Sequence, residues 1–342
     1  MNNELTQNDL LYDKVALLIE QARKQIATTV NLAMVYTYFE IGRMIVEDTQ
    51  QGNKKATYGK AVLKELSTKL LEKFGEGFSV DNLENMRRFY VAYPISETPS
   101  RKFTLSWSHY LILMRIKNME ERSFYEIEAT ANNWGLKELQ RHYHSSLYER
   151  LALSRDKDGV KLLSQEGQSI ATPQDIIKDP LVLEFLGLRA DTKYSETQLE
   201  TCVIDQLQLF MLELGKGFLF EARQKRFTFD EEHFFVDLVL YNRILQCYVL
   251  IDLKTDKLVH QDLGQMQMYV NYFDRHVKLD HEKPTIGLLL CKKKKDTIVE
   301  LTLPKDANIY ATEYSLYLPD KALLQQKMNE WTSDFENYTQ EK

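Results

Sequence analysis

The sequence predicts an α+β protein of two domains, with an all-helical N-terminal domain and a C-terminal α/β domain built on a mixed central sheet. Three observations lead to this fold class. Apolar residues recur at three- and four-residue spacing up to about Leu153. A polar stretch that contains glycine and proline follows. Beyond it come a helix, three strand-like runs, a helix and another apolar run, which is the order αβββαβ.

The composition is that of a globular protein. The 342 residues suffice for one or two domains, and 44% of them are hydrophobic. No stretch approaches the roughly 20 apolar residues of a membrane span, and the N-terminus has no signal-peptide pattern. Three dispersed cysteines indicate reduced thiols, so we expect a cytoplasmic protein. The net charge of -6 means that any nucleic-acid surface has to be local.

The helical N-terminal domain is predicted to span residues 1–155. Its helices are expected at Asp9–Glu47 with a break near Thr28 and Thr29, Tyr58–Phe74, Val80–Ala92, Ser108–Met114, Glu120–Asn132 and Leu136–Ser154. The turn GEGF separates the second helix from the third, for which Ser79 is a good N-cap. This pattern is typical of a helix-turn-helix, and an ordinary helical hairpin fits it equally well.

The third of these helices carries polar groups that reach phosphates or base edges in nucleic-acid complexes. They are Asn82, Asn85, Arg87 and Arg88. We expect Arg87 and Arg88 to contact nucleic acid if this helix approaches it. In the competing interpretation, the two arginines pair with acids such as Glu72 or Glu84, and the domain binds protein.

Residues 156–180 are predicted to be a linker, and residues 181–342 the α/β domain. DPLVLEFLGL is expected to begin a short helix, and Ser195 to cap a longer one that ends at Gly215 and Gly217. The predicted strands are FLFEARQKRFTF, HFFVDLVLYN, QCYVLIDLKT, PTIGLLLCKK and NIYATEYSLYLP; GQMQMYVNYFD and LLQQKMNEW are predicted helices.

Two of the apolar strands each carry a carboxylate, Asp237 and Asp252. Burying an unpaired carboxylate costs several kcal/mol, so such residues usually have a partner, often a metal ion. Lys254 lies two residues after Asp252, on the same face of its strand. Pairing the two acids directly would require a hairpin centred near Ile244 and Leu245, an apolar sequence for a turn; a twist or bulge is the alternative.

Two acids and a lysine, followed on the next helix by Gln265 and Tyr269, resemble the D…(D/E)xK and QxxxY motifs of the PD-(D/E)XK nuclease superfamily. The match to one family is wider. LSWSHY, ELGKGFLFEARQKRF, VDLVLYNR, DLKTDK and GQMQMYVNYFD together resemble the YhcG-type nucleases. These are bacterial proteins with a helical N-terminal domain of undefined role and a C-terminal nuclease domain. The resemblance extends from about Tyr36 to Tyr317.

This resemblance implies a DNA nuclease that depends on Mg²⁺, with Mn²⁺ as an alternative ion, and that leaves a 5′-phosphate. Asp237 and Asp252 would hold the ion, with the backbone carbonyl of Leu253 as a further ligand. Lys254 would position the attacking water or offset charge on the phosphate. Gln265 and Tyr269, four residues apart on one helical face, would support the site and the DNA strand.

The superfamily often adds a helix carboxylate as a third metal contact. We expect Glu200, with Asp205 and Glu213 as rivals. Gln224 is expected to line the cleft and contact nucleic acid. The alternative function is a non-catalytic DNA-binding or protein-interaction module on a nuclease fold. RNA as substrate and a homo-oligomer both stay open.

Overall fold

A computed structural model describes residues 31–48, 56–93, 103–153, 157–189, 192–229, 231–304 and 307–326. The chain divides into two compact units, Met1–Gln140 and Arg141–Lys342. The predicted linker and domain limits stay predictions. The expected break near Thr28 and Thr29, and most of the expected C-terminal helix, lie outside the described residues.

The first unit is helical, as predicted. Its helices are α1 (residues 31–48), α2 (Ala56–Phe74), α3 (Val80–Ala92), α4 (Trp107–Leu113), α5 (Met119–Ala131) and the first part of α6 (Leu136–His144). Within the described residues of the chain, no helix combines the length and apolar character needed to cross a membrane.

The turn between α2 and α3 follows from its glycines and its cap. Gly75 and Gly77 adopt φ of 78° and 111°, which glycine tolerates without a Cβ clash. The hydroxyl of Ser79 accepts a hydrogen bond from the Asn82 amide at 3.2 Å and so begins α3. The Asn82 side chain donates to the Gly77 carbonyl and accepts from Trp107 Nε1. Asn82 is therefore engaged inside the unit.

The second unit contains a six-stranded mixed sheet, which confirms the predicted fold class. Its elements after α6 are α7 (Leu147–Leu153), α8 (Lys157–Glu166), β1 (Leu181–Val182), α9 (Glu196–Asp205), α10 (Leu207–Leu214), β2 (Phe218–Phe229), β3 (Glu232–Asn242), β4 (Cys247–Leu253), α11 (His260–His276), β5 (Ile286–Cys291), α12 (Asp296–Thr302) and β6 (Ile309–Ser315). The strand order is β1-β6-β5-β4-β3-β2. β2, β3 and β4 pair antiparallel, and β4, β5, β6 and β1 pair parallel.

An apolar layer covers each face of this sheet. Val249, Ile251 and Leu253 of β4 belong to the core that includes residues of α9 and α10. Leu250 belongs to the core that includes residues of α11. Strand periodicity places Asp252 on the same face as Leu250, so this carboxylate replaces an apolar side chain where α11 covers the sheet.

Several predicted elements are wrong in detail. The helix predicted over Leu136–Ser154 is two helices, because Ser146 adopts φ of 54° between α6 and α7. The helix after Ser195 is likewise divided, at Gln206. DPLVLEFLGL forms strand β1 and a short 3-10 turn, because Leu181 and Val182 pair with β6. The sequence pattern did not predict α8 as a full helix or α12 at all.

Candidate active site

The register of β3 against β4 brings the two strand carboxylates together. The strands pair from Asn242 opposite Cys247 to Leu238 opposite Ile251. The next position along this antiparallel register places Asp237 opposite Asp252. The regular ladder ends there, and Oδ2 of Asp237 accepts a hydrogen bond from the backbone N–H of Leu253 at 2.8 Å. The two acids therefore lie side by side at the end of the paired segment.

The hairpin that sets this register turns at residues 243–246, with Ile244 and Leu245 at its centre, which is the position that direct pairing of the two acids requires. An apolar turn is possible because Asn242 supplies the polar contacts. Its side-chain oxygen accepts hydrogen bonds from the amides of Ile244 and Leu245, both at 3.0 Å. Leu245 is buried in the core, and Gln246 closes the turn with φ of 55°.

The buried Asp252 forms an ion pair with the partly exposed Lys254. Asp252 is 4% exposed, and its Oδ2 lies 2.8 Å from Lys254 Nζ. Burial raises the pKa of Asp252, while the charge of Lys254 opposes that rise. Burial alone would lower the pKa of Lys254, but the Asp252 carboxylate outweighs it and raises that pKa above its usual range. The Asp252 carboxylate therefore favours the ammonium form of Lys254.

Glu200 reaches this site through Gln224. One amide nitrogen, Nε2 of Gln224, donates to Glu200 Oε2 at 2.8 Å and to Asp237 Oδ1 at 3.0 Å. Gln224 adopts φ of 48° within β2. A non-glycine residue in that region costs about 1–3 kcal/mol, and such strain concentrates at functional sites. The amide of Gln224 thus links the helix carboxylate to the strand carboxylate.

The rival helix acids lie elsewhere. Asp205 is exposed at the end of α9. Glu213 is fully buried, with Oε1 2.5 Å from Arg150 NH1 and Oε2 3.2 Å from Arg141 NH1. Of the three expected carboxylates, only Glu200 shares a hydrogen-bond partner with Asp237.

Asp237 carries the clearest electrostatic signature of the site. Burial is the largest contribution, and the negative charges of Asp252 and Glu200 add to it. The Leu253 amide and Lys254 oppose them, and the net effect raises the pKa of Asp237 to about 6. The carboxylates outweigh the cations that face them, which is the imbalance that a bound divalent cation relieves.

These donors fit a hard divalent cation. In the part of the chain that the structure describes, no three Asp, Glu, His or Cys side chains converge closely enough to hold a metal by themselves. Mg²⁺ does not require that, because it is usually bound through one or two carboxylates and completes its shell with water and substrate phosphate. Asp237 and Asp252 are two such hard oxygen donors.

The expected pair on α11 lies near the acids but is unequally exposed. Gln265 Nε2 donates to the hydroxyl of Tyr269. Tyr269 is 1% exposed and packs edge-on against Phe227 at 5.5 Å, so it lies within the apolar layer rather than in an open cleft. Burial raises the pKa of Tyr269, and the charges of Asp252 and Asp237 add to the rise. Only Gln265 keeps partial exposure.

The sequence pattern did not indicate two of the contacts at the site. Arg223 Nε donates to Glu200 Oε1 at 2.6 Å and so orients this carboxylate. Glu196 Oε2 lies 3.7 Å from Lys254 Nζ. Arg223 precedes Gln224 in β2, and Glu196 lies one helical turn before Glu200. Their spacing from these two expected residues is the sequence feature that could have indicated both contacts.

Arg87 and Arg88 lie in the first unit, on α3. Glu84 Oε1 is 2.7 Å from Arg87 NH2 and 3.2 Å from Arg88 Nε. The ion pairs of the competing interpretation are therefore formed. The side chains of Arg87 and Arg88 nevertheless remain 42% and 65% exposed.

Two of the solved structures that resemble this chain are distant likenesses. A repair endonuclease from Pyrococcus abyssi shares 16% identity over 39% of this chain and 50% of its own, with a TM-score of 0.25. An EndoMS–dsDNA2 complex shares 13% identity over 39% of this chain and 49% of its own, with a TM-score of 0.26. Superpositions this poor carry no weight for the fold.

Comparison with protein families is decisive. Residues 174–329 match the YhcG PDDEXK nuclease domain, and residues 14–150 match the DUF1016 N-terminal domain. A protein of Escherichia coli (strain K12) named "Putative nuclease YhcG" is 37% identical over 345 residues, which cover 92% of each chain. The chain belongs to the YhcG family, whose members join a DUF1016 N-terminal domain to a PDDEXK nuclease domain.

Proposed function

We propose that this protein is a metal-dependent nuclease that hydrolyses phosphodiester bonds in DNA, with Mg²⁺ as its ion and Mn²⁺ as a substitute. The observation that carries the proposal is the hydrogen bond of 2.8 Å from the Leu253 amide to Asp237 Oδ2, which brings Asp237 beside Asp252, together with Lys254 Nζ 2.8 Å from the second acid. Membership of a nuclease family supports the reaction class.

In this proposal Asp237 and Asp252 hold the cation, and Glu200 acts through Gln224 to fix Asp237. When bound, the ion would supply a Lewis acid that activates water and withdraws charge from the scissile phosphate. The ammonium group of Lys254, 2.8 Å from Asp252 Oδ2, places a positive charge beside the phosphate and holds Asp252 in position. Gln265 is the partly exposed polar group of α11 that can contact the substrate strand.

The competing function is a non-catalytic binding module on the same fold. A module of this kind has no need for two mutually repelling carboxylates, one of them 4% exposed and the other only partly exposed. Replacing them with apolar residues would be neutral or stabilising for a protein that binds no ion. The acid pair therefore favours the nuclease.

Incubation of the purified protein with labelled nucleic acids tests the reaction class. The substrates are linear, circular, branched and single-stranded DNA and an RNA of matching sequence, each with Mg²⁺, Mn²⁺ or chelator. We expect cleavage of at least one DNA form with metal and none with chelator. Cleavage of RNA but of no DNA would identify RNA as the substrate. The absence of any metal-dependent product would support the binding module.

We further propose that the N-terminal domain recognises DNA through Arg87 and Arg88. Exposed ion pairs are worth about 0–1 kcal/mol, so Glu84 can be exchanged for a phosphate at little cost. Replacing both arginines by alanine should weaken DNA binding and lower its dependence on salt, because a protein that makes fewer phosphate contacts releases fewer counterions when it binds. Fluorescence titration of labelled duplex at two salt concentrations measures both quantities.

The matched control is Lys64→Ala with Lys69→Ala, which removes two positive charges from exposed positions of the neighbouring helix α2. It should leave binding nearly unchanged. If the arginine variant and the lysine variant both behave as wild type, the domain does not use α3 to bind DNA, and protein recognition becomes the better account.

A further inference from the structure

Two loops at one edge of the sheet bring many lysines together. β4 and β5 are parallel neighbours, so the loops that follow them leave the sheet on the same side. Residues 254–259 and 292–295 contain six lysines and one aspartate. Four of these lysines are exposed, and we call them the lysine ledge: Lys257, Lys292, Lys293 and Lys295.

Backbone contacts hold the ledge in place. Lys257 and Lys293 form a parallel β-bridge. The amide of Leu258 donates to the Lys293 carbonyl at 3.0 Å, and that of Lys292 to the Asp256 carbonyl at 3.2 Å. Like charges that are fixed side by side on neighbouring strands are destabilising. Folding alone therefore does not favour lysine at these positions.

Lys294 belongs to the same run of lysines, but its charge is paired with an acidic side chain. Its Nζ lies 2.5 Å from Asp179 Oδ2, and its amide donates to Glu313 Oε1 at 3.0 Å. Within the described residues, by contrast, no acidic side chain pairs with a lysine of the ledge. The loop is thus anchored inward at Lys294, and the ledge presents positive charge that no described acidic side chain pairs with, on a protein whose net charge is -6.

The ledge adjoins the candidate active site. Lys257 lies three positions after Lys254, and a chain of that length spans at most about 11 Å. A strand of nucleic acid carries one phosphate per 3.4 Å or so along the helix axis, so the ledge lies within a few phosphates of the acids. A local basic patch beside the site also guides a polyanion to a protein that otherwise repels it.

We propose that the lysine ledge binds the phosphate backbone of the substrate strand on the β5 side of the scissile phosphate. This inference rests on the proposed nuclease function and deepens it, because it assigns a direction across the sheet edge to the bound strand. The recognised chemistry is the nucleic-acid backbone, so the ledge contributes affinity without sequence preference.

The test uses a double variant of the ledge that carries both Lys257→Ala and Lys293→Ala. It is compared with a control double variant that makes the same change in charge elsewhere in the unit. The control is Arg243→Ala with Lys283→Ala, two exposed cations at the opposite edge, in the β3–β4 turn and before β5. Binding of labelled single-stranded and duplex DNA is measured without divalent cations over a range of salt concentrations. We expect the affinity of the ledge variant to fall about tenfold near 0.1 M salt. The slope of its affinity against salt concentration should decrease by the equivalent of about two phosphate contacts. The control should change in neither quantity.

A second double variant, Lys292→Ala with Lys295→Ala, should lose affinity in the same way. It shows whether the effect is specific to the first pair of substitutions. Thermal melts check that each variant is folded. Wild-type affinity and slope in both ledge pairs would overturn the ledge and leave the nuclease proposal standing. Equal losses in ledge and control variants would also overturn it, because they would show a general effect of charge. If wild type binds no nucleic acid and cleaves none, the ledge and the proposed function both fail.

Discussion

Asp252→Asn is expected to reduce metal-dependent cleavage by about 10³-fold or more, which corresponds to about 4 kcal/mol in the activation barrier. The change keeps the shape of the side chain and removes the charge that would hold the cation. Asp252 is 4% exposed and burial disfavours its charged form, so the neutral amide should be tolerated by the fold. Cleavage under single-turnover conditions measures the loss.

The control for this prediction is Asp205→Asn, which alters an exposed acid of the same unit outside the site. It should cleave as wild type does. Calorimetric titration with Mg²⁺ or Mn²⁺ gives a readout that does not depend on cleavage, and binding should be lost only in the Asp252 variant. Retained cleavage with unchanged metal dependence, in a preparation free of contaminating nuclease, would remove Asp252 from the site.

The central part of the candidate site could be predicted because it depends on local patterns. Asp237 and Asp252 interrupt strongly apolar strands, and strand periodicity places Lys254 on the face of Asp252. The sequence left open whether a hairpin centred near Ile244 and Leu245, or a twist or bulge, brings the two acids together. What the pattern did not provide was the reason an apolar turn is stable there, which is the side chain of Asn242.

Other features depend on contacts between residues distant in the sequence. The amphipathic pattern runs continuously through the break at Ser146 and through that at Gln206, so periodicity alone predicts one helix in each case. The two residues of β1 adopt a strand because β6 is available to pair with them. The contact of Gln224 with Glu200 requires an uncommon backbone conformation in β2, which no local propensity indicates.

Glu213 shows the same limitation most clearly. It was a candidate metal ligand by position, yet it is the centre of a buried ion network that joins α6, α7, α10 and β1. Its carboxylate is bonded to Arg150 and Arg141 and also accepts from the backbone amide of Val182 at 3.0 Å. Burial opposes the charge of Glu213, but Arg150, Lys178 and Arg141 prevail and lower its pKa to about 2. Its contribution is therefore to stability.

Glu213→Ala is accordingly expected to lower the free energy of unfolding of the second unit by about 3–5 kcal/mol, because it removes a carboxylate that is 2.5 Å from the fully buried Arg150. Glu213→Gln should cost less, since the amide can still accept a hydrogen bond. Denaturant titration followed by circular dichroism measures both, with Glu166→Ala, an exposed acid at the end of α8, as a control that should change little.

The pH dependence of stability provides the sharper test of this network. A carboxylate whose pKa is lower in the folded state than in the unfolded state stabilises the fold fully above its unfolded pKa. For Glu213 that stabilisation should be complete above about pH 4.5 and decline as the pH falls toward about 2. The stability difference between wild type and Glu213→Gln should therefore narrow across this window. A difference that stays constant from pH 6 down to pH 3, or that widens as the solution becomes more acidic, would show that the charge of Glu213 does not stabilise the folded unit.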